Sequence, residues 1–461
     1  MNKIYTTVWC ESRQQWIVTS ELATGSGRPK LTPKKSALAL LLSSMLLPSG
    51  PVKAVDYVGV TLDVNTTGPQ TLYSGDTATS TTINTGTYQR ISSGGKATIT
   101  TINGGSQQIR GGSATSTTIN SSGIQHVSSG GTATITIISS GGIQRVSSGG
   151  SATSTTINSG GVQHIYDGGS ATSTTISSSG VQHIYDGGSA TSTTINSGGQ
   201  LVSGGTAFRT TIGTNFYSGY QNIFNGGSAT STTINISSFQ RVSSGGSATS
   251  TIINLLGTQL VFNGGLATDT TINKQGEQHI SSGGSAYKTT ISGLFGTQHV
   301  SSGGTATSTS INSDGYQHVK GGSATLTTIY SGGYQLISSG GTASITTVSS
   351  GGYQRVLSGG SATDTTLSSG GVQYVSGGGS ATSTTINSGG AQYVFSGGVA
   401  SITTVSSGGY QEVLSGGSAT STTINRGSQN VSSGGSATST TINSGYQECL
   451  QWRLGHLYHN Q

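Results

Sequence analysis

The feature that most restricts the fold of this sequence is a phrase of about 19 residues that recurs along most of its length. One regular stretch reads GGSATSTTINSGGVQHIYDGGSATSTTI, from Gly149 to Ile176, and its second half begins to repeat the first. The aliphatic residue that ends each ATSTTI phrase recurs about twenty times between Ile83 and Ile442, in most cases 19 residues apart. A fixed period of this length indicates stacked structural repeats rather than one globular core.

The residues between the paired glycines favour β-strands. Thr, Ile and Val are β-branched, no proline follows Pro69, and no stretch shows helical spacing. A repeat of this length spans at most ~63 Å of extended chain, about the perimeter of a three-sided coil. We therefore predict an all-β fold, a right-handed parallel β-helix (β-solenoid) of about twenty 19-residue rungs. The paired glycines are predicted to be turns, and irregular rungs are expected where the spacing changes, around Ile212.

Composition alone also fits a flexible linker, because Gly supplies 76 positions and only 7% of the residues are charged. The regular placement of Ile, Val and Ala argues against a linker, since disordered segments lack ordered apolar positions. The repeats are therefore expected to fold.

Strand parity predicts which side chains enter the solenoid. Gln163 shares parity with Ile165, so both should point inward, whereas Val162 and His164 should point outward. The predicted inward set is Ala, Thr, Ile, Gln and Val. Glutamine recurs in the slot of Gln163 in most repeats, which predicts an internal amide ladder, with an outward, solvated stripe as the alternative.

The first 54 residues differ from the repeats. A basic region at Lys30, Lys34 and Lys35 precedes an apolar run over residues 37–47 and a small-residue site, VKA, which predicts a secretory signal cleaved after Ala54. The apolar run is short for a bilayer span. This region has a net charge of +5, whereas the remainder has +1. The basic charge therefore belongs to the leader and does not indicate a nucleic-acid partner.

Two stretches resemble a known protein family. MNKIYTTVW followed by WIVTSELA resembles the extended signal-peptide region of type V autotransporters, and the repeats resemble those of AIDA-type self-associating autotransporter adhesins. The resemblance implies a passenger domain that is exported through Sec to the periplasm and acts at the cell surface or as a secreted protein. It also implies adhesion, self-association (autoaggregation) and biofilm formation. The implied partners are another copy on a neighbouring cell, a host-cell surface, and the Sec and outer-membrane assembly machinery.

The resemblance divides the chain into an extended signal peptide (1–54), an N-terminal cap (55–82), a repeat β-helix (83–447) and an aberrant tail (448–461). Family members continue into a membrane β-barrel, but here the repeat breaks within INSGYQECLQWRLGHLYHNQ. We expect a passenger truncated before its barrel, displayed or secreted if a barrel is supplied. The alternative is a fragment that is not displayed and has no independent function.

No residue pattern predicts catalysis, a cofactor or a metal site. The acids of the repeats are scattered, and Asp167 and Asp186, one rung apart, have no second acid in their own rungs. Paired glycosidase carboxylates are therefore lacking, and the chain is not expected to be an enzyme. The two cysteines, Cys10 and Cys449, lie outside the repeats, so no disulfide framework is expected.

The outward positions on either side of the recurring glutamine carry Tyr, His and Arg in many repeats. Stacked histidines such as His164 and His183 would lie about 5 Å apart, within reach of a shared metal. The favoured interpretation is a solvated slot, because Arg, Leu, Tyr and Glu fill it in other repeats. Aromatic residues and Arg are enriched at interfaces, so we predict an adhesive surface here and call these flanking positions the outward strip. The residues predicted for it are Tyr88, Arg90, His126, Arg145, His164, His183, His318, Tyr353 and Arg355.

Overall fold

The computed structural model describes the backbone of Tyr5–Cys10 and Gln15–Ser20, and residues 53–214 and 218–450. The chain divides into two units, Met1–Lys53 and Ala54–Gln461. In the first unit, Tyr5–Cys10 and Gln15–Ser20 pair as antiparallel strands. The predicted apolar run lies outside the described residues, and cleavage after Ala54 stays a prediction. No helix found in the described part of the chain is long and apolar enough to cross a membrane.

The second unit is a parallel β-solenoid, which confirms the predicted all-β architecture. Each repeat forms one rung with up to three strand segments, which we call faces A, B and C; in one rung they are Ser170–Thr172, Thr175–Ile176 and Gly180–Ile184. Neighbouring rungs pair in parallel, residue by equivalent residue, as Ala171 does with Ala190. Like side chains are therefore stacked in columns along the solenoid.

Strand bounds follow the three faces. In eleven rungs one strand spans faces A and B: Thr77–Asn84, Lys96–Asn103, Ser113–Asn120, Thr132–Ile138, Ser151–Ile157, Leu266–Ile272, Ser285–Ile291, Thr305–Ile311, Ser323–Ile329, Thr342–Val348 and Ser361–Leu367. In others the two faces are separate strands: Asp56–Val58 and Thr61–Leu62, Ser170–Thr172 and Thr175–Ile176, Ser189–Thr191 and Thr194–Ile195, Thr206–Phe208 and Thr211–Ile212, Ser228–Thr230 and Thr233–Ile234, Ser247–Thr249 and Ile252–Ile253, Ser380–Thr382 and Thr385–Ile386, Val399–Ser401 and Thr404–Val405.

Face C is formed by a strand of its own in most rungs: Gln70–Leu72, Tyr88–Ile91, Ser106–Arg110, Ile124–Ser128, Ile143–Val146, Val162–Ile165, Gly180–Ile184, Gly198–Ser203, Gly219–Phe224, Phe239–Val242, Thr258–Val261, Glu277–Ile280, Thr297–Ser301, Tyr316–Lys320, Tyr334–Ser338, Tyr353–Val356, Val372–Val375, Ala391–Val394 and Tyr410–Val413. In the last two described rungs Ser418–Thr420 and Ser436–Thr438 form face A. There a single strand, Thr423–Val431 or Thr441–Cys449, spans faces B and C.

The corner between faces A and B is a single residue in the left-handed backbone region. Ser154 has φ 56°, and the equivalent residues of other rungs, including Ile135 and Arg209, have the same conformation. This residue shifts the parity of the strand, so that Ala152, Thr155 and Ile157 are all buried.

The turn between faces C and A explains the glycine pair. In residues 147–150, Ser148 and Gly149 have φ of 49° and 79°, and the Gly150 N–H donates to the Ser147 carbonyl at 2.8 Å. Two positive φ angles and this hydrogen bond are typical of a type I′ turn. A Cβ on Gly150 would lie 2.2 Å from the Val127 oxygen of the previous rung, so this position excludes a side chain.

The interior holds apolar columns on both sides of a polar one. The isoleucines that end face B form one buried column, and Ala of face A packs with the Ile or Val that follows the glutamine on face C. Between them, 21 glutamines from Gln70 to Gln447 form the predicted internal ladder. Each of them after Gln70 donates from Nε2 to Oε1 of the glutamine one rung earlier, at 2.6–2.8 Å.

A column of buried threonines forms further hydrogen bonds with the glutamine side chains of this ladder. Thr155 Oγ1 donates to Gln144 Oε1 and accepts from Gln163 Nε2, both at 3.3 Å. Because buried polar groups are costly without partners, these bonds make an interior glutamine compatible with a packed core.

The ladder continues where the repeat spacing changes. Gln200 donates to Gln182, and Gln221 donates to Gln200, each at 2.6 Å. Ile212 stays in the buried face B column. The change of spacing after Ile212 therefore falls between Ile212 and Gly219, and residues 215–217 lie outside the described part of the chain.

The first rung begins at Asp56 and lies within the segment predicted as a cap. Asp56–Val58 and Thr61–Leu62 pair with Thr77–Asn84. Asp76 accepts hydrogen bonds from the Tyr73 and Val55 N–H groups at 2.8 and 2.9 Å, and these bonds hold its pKa below the usual range. The carboxylate therefore fastens the start of the solenoid to the following turn.

Candidate functional site

The outward strip lies on face C, where each strand buries its glutamine and the following Ile or Val and turns the flanking residues outward. Seven of the nine predicted residues are half-buried, and Tyr353 and Arg355 are exposed. They do not converge on one site. Instead they occupy two parallel columns, as the pairing of His164 with His183 and of Arg145 with His164 illustrates.

The structure brings His164 and His183 together with two tyrosines. Their rings stack with centroids 5.0 Å apart, and the rings of Tyr166 and Tyr185 stack at 4.9 Å. His164 Nδ1 lies 3.2 Å from the Tyr185 hydroxyl. These tyrosines were not predicted from the sequence, because they lie just after the strand, where strand parity no longer predicts which way a side chain points.

The stacked histidines are neutral at pH 7. Burial first, then the charges of His183 and Arg145, lower the pKa of His164 to about 4, and burial lowers the pKa of His183. Burial, His279 and His318 lower the pKa of His299 to about 4, although Glu277 opposes this shift. At neutral pH these positions therefore offer uncharged rings rather than cations.

We expect acidification from pH 7 to pH 4 to destabilise this part of the solenoid. The unfolded chain takes up protons on these histidines near pH 6.5, whereas the folded chain takes them up at lower pH, near pH 4 for His164 and His299. Stability is therefore lost as the pH falls from 6.5 toward these lower values. The rings are half exposed, and solvent screening keeps the effect on the order of 1 kcal/mol. Urea unfolding at pH 7.5 and 4.5 should show a smaller pH effect for the H164N/H183N variant, and an equal effect in both proteins would contradict the assignment.

A second cluster groups three residues that were not among those predicted. Glu277 and His279 are two residues apart on one rung, and His299 follows His279 on the next. His279 Nε2 lies 2.9 Å from Glu277 Oε2, and the two histidine rings stack at 4.6 Å. His318 continues the column at 5.3 Å from His299. The signal available in the sequence was a glutamate two positions before one of the stacked histidines.

Tyrosines continue the strip toward the end of the solenoid. Tyr374 stacks on Tyr393 at 5.3 Å, and Tyr393 meets Tyr410 edge-on at 6.1 Å. Burial and the adjacent Glu412 raise the pKa of Tyr410 to about 12. Near the middle, the guanidinium of Arg241 lies 4.4 Å from the Phe239 ring centroid. Aromatic rings, imidazoles and guanidinium groups thus recur along one face.

Faces A and B have a different surface, composed mainly of Ser and Thr hydroxyls. Some exposed apolar side chains of these faces lie at the left-handed corner, where Ile345 and Ile402 are 50% and 57% exposed. They have the same backbone conformation as the serines of that column, so these positions can be exchanged for serine without a backbone change.

Comparisons with known proteins give consistent results for both units. Residues 1–50 match the family model described as the extended signal peptide of the Type V secretion system. Residues 130–180, 339–390 and 387–445 match the model described as the adhesin of the bacterial autotransporter system, probable stalk.

Two curated relatives match over part of their length. Autotransporter CRAC of Citrobacter rodentium (strain ICC168) is 50% identical over 84 residues, which cover 18% of this chain and 5% of the relative. The autotransporter adhesin/invasin TibA of Escherichia coli O78:H11 is 43% identical over 84 residues, which cover 18% of this chain and 8% of TibA. The matches thus span less than a tenth of each relative. A crystal structure of a TibC-catalysed hyper-glycosylated TibA fragment is 40% identical and covers 75% of this chain and 99% of the fragment, with a TM-score of 0.45.

Proposed function

Because this chain belongs to the AIDA-type autotransporter adhesin passengers, we propose that its solenoid is a non-catalytic adhesive rod that binds through the outward strip. Its extended signal peptide directs it to export through Sec. The proposed site of action is the cell surface or the surrounding medium. The proposed partners are a second copy on a neighbouring cell and a host-cell surface.

The observation that carries this proposal is the continuity of the outward strip. Ring contacts recur from His164 to Tyr410, and each column is aligned by the pairing of adjacent rungs. Aromatic and Arg side chains provide large contact areas and dominate the binding energy of many interfaces. The buried glutamine ladder beneath them fixes the position of each rung, so the strip is held ready for contact before binding.

Repetition converts weak contacts into strong binding. Each rung offers one or two side chains, which is far too little for a stable interface. A partner that runs alongside several rungs engages many such contacts, and each contact after the first forms at high effective concentration. A second copy of the same rod provides the same spacing, which supports autoaggregation as the main activity and biofilm formation as its consequence.

A binding role is also supported by the distribution of acids. Asp167 and Asp186 lie in turns at equivalent places of successive rungs, and neither has a neighbouring acid within its rung. Glycoside hydrolysis in most families uses a pair of carboxylates that flank one glycosidic bond. The arrangement supports a structural role for these carboxylates.

The Y374S/Y393S variant should lose self-association. Truncating a central aromatic residue of an interface costs about 2 kcal/mol, so roughly a thirtyfold weaker association is expected for each affected contact. The purified chain coupled to beads provides the readout, as the rate of bead clumping and the self-association constant from sedimentation. Binding of the same beads to cultured epithelial cells tests the host-surface partner.

The matched control is I345S/I402S, which removes two exposed apolar side chains from the corner of faces A and B. This variant should clump beads like the parent chain. Equal loss in both variants would indicate general stickiness, and no loss in Y374S/Y393S would refute the outward strip as the contact surface. Circular dichroism must show the same β content in all three proteins.

A further inference from the structure

We propose that Glu277, His279 and His299 form a binding site for one divalent transition-metal ion of the zinc, copper or nickel type. The ligand atoms of these three residues all lie within 4.8 Å of one another. The site lies within the outward strip, and it adds a ligand-binding capacity to the solenoid.

The register of two rungs produces this arrangement. Glu277 and His279 flank the buried Gln278, so both side chains leave the strand on the same outward side. His299 is the pairing partner of His279 on the following rung. The cross-rung spacing of about 4.8 Å places the second imidazole over the first, and the carboxylate approaches from the adjacent column.

The distances fit a metal with only side-chain adjustment. Ligand atoms on a tetrahedral zinc ion lie ~3.3 Å apart, since each zinc–ligand bond is ~2.0–2.1 Å. His279 Nε2 and Glu277 Oε2 are already 2.9 Å apart. The side chains of His279 and Glu277 are 38% and 49% exposed. Both can therefore rotate toward an ion, and the ion would be open to solvent. Two imidazoles and one carboxylate leave at least one coordination position for water.

The donor set indicates the class of ion. Imidazole suits zinc, copper and nickel, whereas calcium and magnesium prefer oxygen ligands alone. Metal ions bind the neutral form of imidazole. His318 lies next to His299 in the same column and is the nearest additional imidazole.

Other positions of the outward strip lack either the carboxylate or the second imidazole. His164 and His183 stack equally closely, but valines occupy the positions equivalent to Glu277, at Val162 and Val181. His126 has Gln108 and Arg145 as its neighbours in the column. Only the rungs at Glu277 and His299, among those described, offer a carboxylate together with two imidazoles.

Metal binding is tested by titrating the purified chain with zinc chloride, nickel chloride and copper chloride in a calorimeter. The chain should carry H456A and H459A, so that the two histidines near the C-terminus do not contribute. One equivalent of metal should bind, and E277Q, H279A and H299A should each weaken binding about tenfold or more. For copper, electron paramagnetic resonance should show nitrogen hyperfine coupling that is reduced in H299A.

H126A is the matched control, because it removes an imidazole of the same column without touching the site. It should bind metal like the parent. Absence of binding in the micromolar range for all three ions would overturn the proposal, as would binding unaffected by E277Q and H299A. If H164A abolished binding instead, the ion would belong to the other histidine stack and the site proposed here would be refuted. Bead clumping in EDTA reports separately on adhesion, so failure of this proposal leaves the adhesive role testable.

Discussion

Gln259→Glu should destabilise the middle of the solenoid by about 3 kcal/mol or more at pH 7. The Gln259 side chain is fully buried. Its Nε2 donates to Gln240 Oε1 at 2.7 Å, and its Oε1 accepts from Gln278 Nε2 at 2.7 Å. Glutamate replaces the amide donor by an oxygen, which then faces the carbonyl oxygen of Gln240. Two acceptors meet in the interior, and one of them carries a buried charge.

The defect should depend on pH in a defined direction. A protonated carboxyl group can donate to Gln240 Oε1 and so restores the ladder, whereas the carboxylate cannot. Burial raises the pKa of this group in the folded chain above its value of about 4.3 in the unfolded chain. Stability close to that of the parent is therefore present below pH 4.3 and is lost as the pH rises through the folded-state pKa.

Urea unfolding at pH 4 and pH 7, followed by circular dichroism, measures this effect after subtraction of the parent at each pH. Gln275→Glu is the matched control, because it makes the same substitution at a partly exposed turn and should change stability little at either pH. Local melting around the altered rung should show as faster hydrogen exchange at Gln278 and Gln240 than at distant rungs, since solenoid stability depends on contacts between neighbours. An equal defect at both pH values would contradict an ionised interior.

The ladder itself could be predicted from the sequence, because a strict period aligns like residues and strand parity then decides which face they occupy. Gln163 and Ile165 are both fully buried, as that rule predicts. The corner at Ser154 could not be predicted in the same way. Left-handed backbone is usually marked by glycine or asparagine, but here Ser, Ile, Arg and Lys occupy it in different rungs. Stacked backbone hydrogen bonds, such as Ser173 N–H to the Thr191 carbonyl at 2.9 Å, hold this conformation.

The sequence predicts that residues of the outward strip are aligned in columns, but it does not predict which side chains of adjacent columns contact each other. Register places Arg145, His164 and His183 in one line from the period alone. Contacts between columns depend on rotamers and on residues just outside the strand, which periodicity does not specify. The approach of Glu277 to His279 and the contact of Tyr185 with His164 therefore emerged only from the three-dimensional arrangement.

Gly341→Ala should destabilise its rung by about 3 kcal/mol, the upper range for adding a methyl group to a packed region. An added Cβ would lie 2.2 Å from the Val319 oxygen and 2.8 Å from its carbonyl carbon. Both contacts are to backbone, so no side chain can rotate away. The strand must move, and the adjacent hydrogen bond from Thr342 N–H to the Gly322 carbonyl, 2.9 Å long, lengthens with it.

The neighbouring glycine supplies the control within the same turn. Gly340 has φ 80°, and a Cβ there meets nothing within 4 Å, so Gly340→Ala carries only the left-handed backbone penalty of about 1–2 kcal/mol. Gly340→Asn should be milder still, because asparagine tolerates this conformation. Urea unfolding should rank the variants G341A, G340A and G340N in decreasing order of damage, with accelerated amide exchange at Thr342 in G341A alone. Equal damage from G340A and G341A would mean that backbone conformation, and not the close approach of successive rungs, requires the second glycine of each pair.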